Sequence, residues 1–358
     1  MHSKRLADYV ERLTPSHRKP TNASERPFNN ATATHPPMLR RGVTNRILIY
    51  PGSFNPPHRG HLGLLSHAFY NAGVDLNIIA AIIVVTDDHY LEYKMETRDN
   101  AIVIPKEKRV KLWKGSGIPF DWAYVFDGPG KEWAPFRADL ANEARKDGFD
   151  LKYIVLNGPD VITGDRGFDA QCWDCGDAIT SDISRPVDFR YPSTLRQLNG
   201  CSPWEKLKIN QSRIEQEIRE KFKQQGTPSN YSLALTGKAE ADFEKVVEEA
   251  VAEAVKNMTN ISICRQLITS PKGIVRFLPV DPEKQMRDAP SSTKIRMIID
   301  SSSPENLAKN LTGIALNPEL LVEILKELPK PIKRVVEEKP DRKALAKDDP
   351  EAFKKIVW

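Results

Sequence analysis

Two histidines three residues apart, His58 and His61, stand in the run Gly52-Ser53-Phe54-Asn55-Pro56-Pro57-His58-Arg59-Gly60-His61. Each neighbour has a physical task. Gly52, lacking a Cβ, lets the backbone approach a phosphate or ribose closely. Asn55-Pro56-Pro57 makes a stiff turn, because proline fixes φ and carries no N–H. Gly60 permits a close approach at a helix start. Both imidazoles then lie at or just inside the first helical turn, where free N–H groups and the helix dipole favour an anion. There they can donate hydrogen bonds to oxygens that gain charge as an α-phosphate is attacked. The same spacing suits a metal ion. No carboxylate or cysteine nearby completes a ligand set, so no metal ligand is assigned.

A second run, Ser291-Ser292-Thr293-Lys294-Ile295-Arg296, offers hydroxyls and amides at a helix start, with an arginine fork behind them. That is an anion nest, although Ser-Ser-Thr before a helix is by itself an ordinary N-cap. Between the two runs lie Thr86-Asp87-Asp88-His89-Tyr90 with Lys94, then Lys108-Arg109, and Gly158-Pro159-Asp160. A carboxylate such as Asp160 can accept two ribose hydroxyls, or simply close a turn. Trp122 and Trp133, read from the sequence alone, are plain core aromatics. Cys172-Trp173-Asp174-Cys175 is a single C-x-x-C, a weak zinc or redox signal, with Cys201, Cys264 or Asp177 as further ligands.

These runs need a frame. Ile47-Leu48-Ile49-Tyr50 is a short apolar run stopped by Pro51-Gly52, as in a buried parallel strand. Helical periodicity follows from His61 to Tyr70, and Ile78 to Val85 forms a second buried run, so residues 47–85 read as one βαβ unit. Helices are expected near Lys106–Lys114 and Trp133–Lys146, with strands at Tyr153–Leu156, Ile261–Cys264 and Ile274–Leu278. The alternation predicts a doubly wound α/β parallel sheet. Residues 165–258 break the rhythm and read as a helical insertion, with helices at Glu205–Gln225 and Lys238–Asn257. The second carries an apolar stripe (Phe243, Val246, Val247, Ala250, Val251, Ala254, Val255) for packing on the parent domain or for dimerisation. The plan is a basic, disordered lead-in over 1–45 (with one short helix in 3–13), a domain over 46–329, and a charged tail over 330–358.

The first run resembles the HxGH signature of the nucleotidyltransferase superfamily, which includes adenylyl- and cytidylyltransferases. Its Asn-Pro-Pro-His form looks most like nicotinamide and nicotinate mononucleotide adenylyltransferases. The second run resembles that family's ISSTxIR motif, with Pro290 where Ile is common. The resemblance covers roughly residues 46–160 and 260–300. It implies a Rossmann-like sheet and an enzyme that transfers AMP from ATP to a small phosphorylated acceptor, with Mg²⁺ bridging the phosphate oxygens. His58, His61 and Arg296 would be catalytic. Gly52, Ser53, Phe54, Gly60, Gly158, Asp160, Ser291, Ser292 and Thr293 would hold the nucleotide. Asp88, Lys94, Arg109, Trp122, Trp133 and Arg265 would face the acceptor; Arg185 also follows a strand-like stretch, but Arg265 fits the family order better. A non-catalytic nucleotide-binding relative, or a transferase acting on phosphopantetheine or a cytidylyl acceptor, are the alternatives.

Composition limits the rest. The chain has 358 residues and a formal charge of +5. Residues 1–46 hold nine Lys/Arg against three acids, a balance of +6, which leaves −1 for the remainder. A near-neutral body gives no sign of a nucleic-acid-binding face, and the basic segment reads as a solvated tail. No apolar run reaches the ~18 residues of a membrane span, and the N-terminus lacks the apolar core of a secretory signal. The expectation is an intracellular protein, cytoplasmic or nuclear, with reduced cysteines and possible self-association.

Overall fold

The computed structural model describes residues 3–20, 22, 25–29, 33, 36–95, 102–115, 121–168, 173–224, 237–267, 273–281, 283, 285 and 290–328. The tail expected over 330–358 lies outside the described residues, as does Cys172. In chain order the elements are β1 (Lys4–Arg5), α1 (Leu6–Leu13), β2 (Met38–Leu39), β3 (Thr44–Gly52), α2 (Arg59–Asn71), β4 (Ile78–Val85), α3 (Asp88–Met95) and α4 (Lys106–Trp113). Then come β5 (Ala123–Phe126), α5 (Gly130–Lys146), β6 (Asp150–Leu156), β7 (Asp177–Ser181), β8 (Glu205–Lys206), α6 (Gln211–Gln224) and α7 (Gly237–Thr259). β9 (Ser262–Arg265), β10 (Ile274–Leu278), α8 (Ser292–Ser301), α9 (Pro304–Leu311) and α10 (Pro318–Glu327) complete the α-helices and strands of the described residues.

Eight strands form one sheet in the order β5-β4-β3-β6-β7-β10-β9-β8. The six from β5 to β10 run parallel; β9 and β8 are antiparallel additions at the far edge. This is the doubly wound, Rossmann-like architecture that strand–helix alternation predicts. The central strands are apolar on both faces because both faces are covered. Ile47 and Ile49 of β3 point into one core with α1 and α5, while Leu48 and Tyr50 point into a second core with α2, α4, α6 and α7. A third apolar cluster joins Ile104 and Leu112 to Ile295 of α8 and to α9 and α10. That cluster brings the two motif-bearing ends of the chain together at the carboxyl edge of the sheet.

Three expectations need correction. The stretch read as an insertion, 165–258, contains β7, a central parallel strand of the sheet. Its sequence Asp-Ala-Ile-Thr-Ser has two apolar side chains, and its buried Thr180 and Ser181 hide it from a hydrophobicity reading. The helix expected from Glu205 starts at Gln211, and Glu205–Lys206 is the edge strand. Third, the lead-in read as disordered is packed on the body: the short helix expected in 3–13 is present as α1 and lies against α5, and β1 pairs with β2. Leu6, Ala7, Tyr9 and Val10 are fully buried, at spacings that make one apolar helix face.

Candidate functional site

The loop from Ser53 to His58 links the carboxyl end of β3 to the first turn of α2, the place where ligands bind in open parallel sheets. Its geometry follows from its residues. Phe54 adopts φ 46° and folds its ring back over Gly52, where a Cβ would lie 2.7 Å from the ring. The ring packs edge-on against Tyr50, His61 and Trp113. Gly52 therefore makes room for Phe54 in this structure. The buried Asn55 clamps the neighbouring segment, donating to Ile102 O at 2.6 Å and accepting from Ile104 N at 3.0 Å.

His58 is the N-cap of α2 and forms a reciprocal capping box with His61. The His61 N–H donates to His58 Nδ1 and the His58 N–H donates to His61 Nδ1, both at 3.3 Å. The two rings stack with centroids 3.5 Å apart. Because each Nδ1 accepts, each neutral ring carries its proton on Nε2. His58 Nε2 is buried and meets no hydrogen-bond partner among the described residues. Burial lowers the His58 pKa to about 3, with the Arg185 cation adding to it. Burial, His58, Arg185 and Lys94 hold His61 well below the usual imidazole value. Both are thus neutral hydrogen-bond donors at ordinary pH, sitting in the field of two cations.

The second motif closes against the first. Ser291 caps α8, accepting from Lys294 N at 3.1 Å. Ser292 Oγ donates to Pro56 O at 2.9 Å. Arg296, 5% exposed, donates to Asn55 O at 2.8 Å and to Thr293 Oγ1 at 3.1 Å. A Cβ on Gly60 would sit 3.1 Å from Pro290 O, so that glycine sets the approach of α2 to the second motif. The first turns of α2 and α8 therefore both border the Asn55–Pro56 segment.

Residues 49–165 match a family model described as cytidylyltransferase-like. A search of the curated proteins finds no match. Two solved structures of the Plasmodium falciparum nicotinic acid mononucleotide adenylyltransferase are similar to this chain. The one complexed with APC shares 16% identity over 38% of this chain and 63% of its own, with a TM-score of 0.25. The one complexed with NaAD shares 14% identity over 38% of this chain and 64% of its own, also with a TM-score of 0.25. The chain thus spans just under two thirds of the length of these neighbours.

Within and beside residues 49–165, the expected nucleotide- and acceptor-facing residues divide sharply. Asp160 is exposed after β6, close enough to raise the Tyr50 pKa; a Cβ on Gly158 would meet its carboxylate at 2.7 Å. Lys94, in the last turn of α3, reaches His61 electrostatically. Arg109 does not face a ligand. It is fully buried, and its guanidinium donates to Ile104 O, Ser53 O, Thr86 O and the Asp88 carboxylate, at 2.6–2.8 Å. Arg109 and Asp88 thus tie the ends of β3 and β4 together. Trp122 precedes β5, at the amino edge of the sheet, where it stacks on Phe69 and donates to Tyr70 Oη. It is opposite the site by the length of a strand. Trp133 packs on Phe126 and Phe136 in the core. Arg265 pairs with Ile274 at the start of β10, again at the amino edge, and its guanidinium lies 3.7 Å from Glu205.

Arg185 takes the place sequence order gave to Arg265. It follows the carboxyl end of β7, and its charge bears on Tyr50, His58 and His61 together. Recognising β7 as a central parallel strand would have ranked Arg185 above Arg265. A groove of about 730 Å³ runs over β8–β10 between Tyr191, Trp204 and Phe277, and does not include the histidine pair. Among the described residues no group of three or more His, Cys, Asp or Glu is placed to hold a metal. Cys175 is buried, its thiol pushed up to about 12 by that burial, and the free thiols of Cys201 and Cys264 share a hydrogen bond. No described helix is long and apolar enough to cross a membrane.

Proposed function

We propose that the chain is a nucleotidyltransferase that transfers AMP from Mg–ATP to the phosphate of nicotinamide or nicotinate mononucleotide, releasing pyrophosphate, as in NAD biosynthesis. The reading rests on one observation above the rest: the capped His58/His61 pair, with both Nε2–H groups neutral donors, beside the Asn55–Pro56 segment that the first turns of α2 and α8 both border. An acceptor phosphate oxygen attacks the α-phosphorus in line, the bond to the bridging oxygen breaks, and pyrophosphate leaves. The protein supplies no covalent nucleophile. It holds the reactants and stabilises charge with preorganised donors. The described residues offer no carboxylate cage, so Mg²⁺ belongs to the Mg–ATP substrate, neutralising its phosphates. Arg185 and Lys94 supply the attractive field for the polyphosphate.

The deciding experiment measures pyrophosphate release from Mg–ATP with nicotinamide mononucleotide, nicotinate mononucleotide and phosphopantetheine in parallel. Release with a pyridine mononucleotide supports reaction and acceptor together; release with phosphopantetheine alone moves the chain to another branch. One observation favours a second reading. Arg109 and Arg296 are both buried, Arg109 on backbone carbonyls and Asp88 and Arg296 on Asn55 O and Thr293. A nucleotide-binding chain without turnover would show an ATP-dependent rise in Tm and no pyrophosphate with any acceptor.

A further inference from the structure

The turn between α9 and α10 touches the histidine loop directly. His58 forms an isolated antiparallel bridge with Ala315, and the Arg59 N–H, the first amide of α2, donates to Ile314 O at 3.0 Å. One of the amides that a helix start leaves unpaired is therefore satisfied from the far end of the chain. Asn317 closes the same turn. It occupies the N-cap position of α10, yet its side chain makes no capping bond there. Its Nδ2 instead donates to Leu112 O in the last turn of α4, at 2.7 Å. The next residue of α4, Trp113, is fully buried and packs edge-on against Phe54, tilted beside His61. Gly115 is matched to this contact, because a Cβ there would overlap the Asn317 amide. An N-cap asparagine that leaves its own helix uncapped and bonds across to another element fixes the relative position of the two.

We infer that Asn317 is a positioning residue, which with the Ile314–Ala315 turn braces the His58/His61 capping box from one side and the Trp113–Phe54 wall from the other. The inference rests on the nucleotidyl-transfer reading only for its kinetic consequence. The brace itself is a statement about imidazole geometry. Asn317→Asp keeps the shape but replaces the donor with an acceptor facing the Leu112 carbonyl. Gly115→Ala displaces the same amide from the other side and is an independent second variant.

Two readouts are taken on the full chain with each variant. The first is kcat and KM for pyrophosphate release from Mg–ATP and the productive acceptor. Misplacement remote from the chemistry costs up to ~10²-fold, so kcat falls ~10-fold or more while both KM values stay within about twofold. The second is the ¹⁵N imidazole spectrum of His58 and His61, assigned with His58→Gln and His61→Gln. The brace requires altered Nδ1 and Nε2 signals in both variants. Wild-type kcat and wild-type imidazole signals in a folded variant, whatever its Tm, overturn the inference. If the wild type itself releases no pyrophosphate, the proposed function fails. The imidazole arm then still decides the brace.

Discussion

His61 shows how much chemistry a single residue position fixes here. Its amide is received by His58 Nδ1 and its own Nδ1 receives the His58 amide, so both Nε2 atoms carry protons. Removing one preorganised donor to a developing charge costs about 3 kcal/mol of barrier, or ~10²-fold in rate. His61→Ala is therefore expected to lower kcat by at least that factor while the chain stays folded. Steady-state kinetics beside a melting curve checks it; near-wild-type turnover in folded protein sinks the mechanism. The same burial makes a pH prediction. His58 has a folded pKa lowered to about 3 from an ordinary value near 6.5, so between those values the unfolded chain binds the proton and the folded chain does not. The stabilising contribution is complete above about pH 6.5 and is lost progressively as pH falls toward 3. The slope is at most about 1.4 kcal/mol per pH unit for each such histidine. Urea titrations of wild type and His58→Gln between pH 4 and 7 should show a shallower acid loss in the variant. Equal slopes would mean the imidazole is not buried as a neutral ring.

Between the loops, elements are held by groups that looked like ligand contacts in the sequence. Arg109 is the clearest case. Its place on a helix after the second strand fits an acceptor-facing arginine, but a side chain's direction is not encoded in its spacing from a strand. Here it turns inward and satisfies three backbone carbonyls and Asp88. Each buried acceptor left unpaired costs ~1–3 kcal/mol, so Arg109→Ala should lose about 3 kcal/mol or more of stability. A ligand contact would instead raise the acceptor KM with Tm unchanged, so a paired melting and kinetic measurement separates the two. The strands βαβ at 47–85, both motifs and their meeting point were legible, because apolar runs and turn residues report local structure directly. β5 and β7 were not. Ala123–Phe126 is four residues long, and β7 buries Thr180 and Ser181 among its few apolar side chains. Missing β7 also misdirected the choice between Arg185 and Arg265, since only the strand places Arg185 beside the histidines.

At the scale of the whole molecule, the charge balance that suggested a solvated basic tail has another explanation. Lys4 pairs with Asp147, Arg12 with Glu143, Arg18 with Glu132 and Asp127, and Arg40 with Glu217. The excess of positive charge in residues 1–46 is thus complemented by acids on α5, α6 and the β5–α5 loop. The more exposed of these pairs, Lys4–Asp147 and Arg12–Glu143, contribute little each, on the order of 0–1 kcal/mol, so they orient the segment more than they hold it, whereas Arg40–Glu217 is largely buried. Burial holds it. Leu6, Ala7, Tyr9 and Val10 are fully buried, α1 lies along α5, and Tyr9 Oη donates to Asp147. Composition alone misjudges such a segment, because a Pro/Thr/Asn-rich stretch after it dilutes one short amphipathic helix. Leu6→Ala with Val10→Ala removes about 1.5–3 kcal/mol of burial per side chain, and each kcal/mol moves the Tm of a large domain by about 2–4 °C. The double variant should therefore melt at least about 6 °C lower, and 0.5 M salt should change wild-type Tm far less than that. A Tm unmoved by the double substitution, with a marked loss in salt, would return the segment to a charged tail held by ion pairs alone.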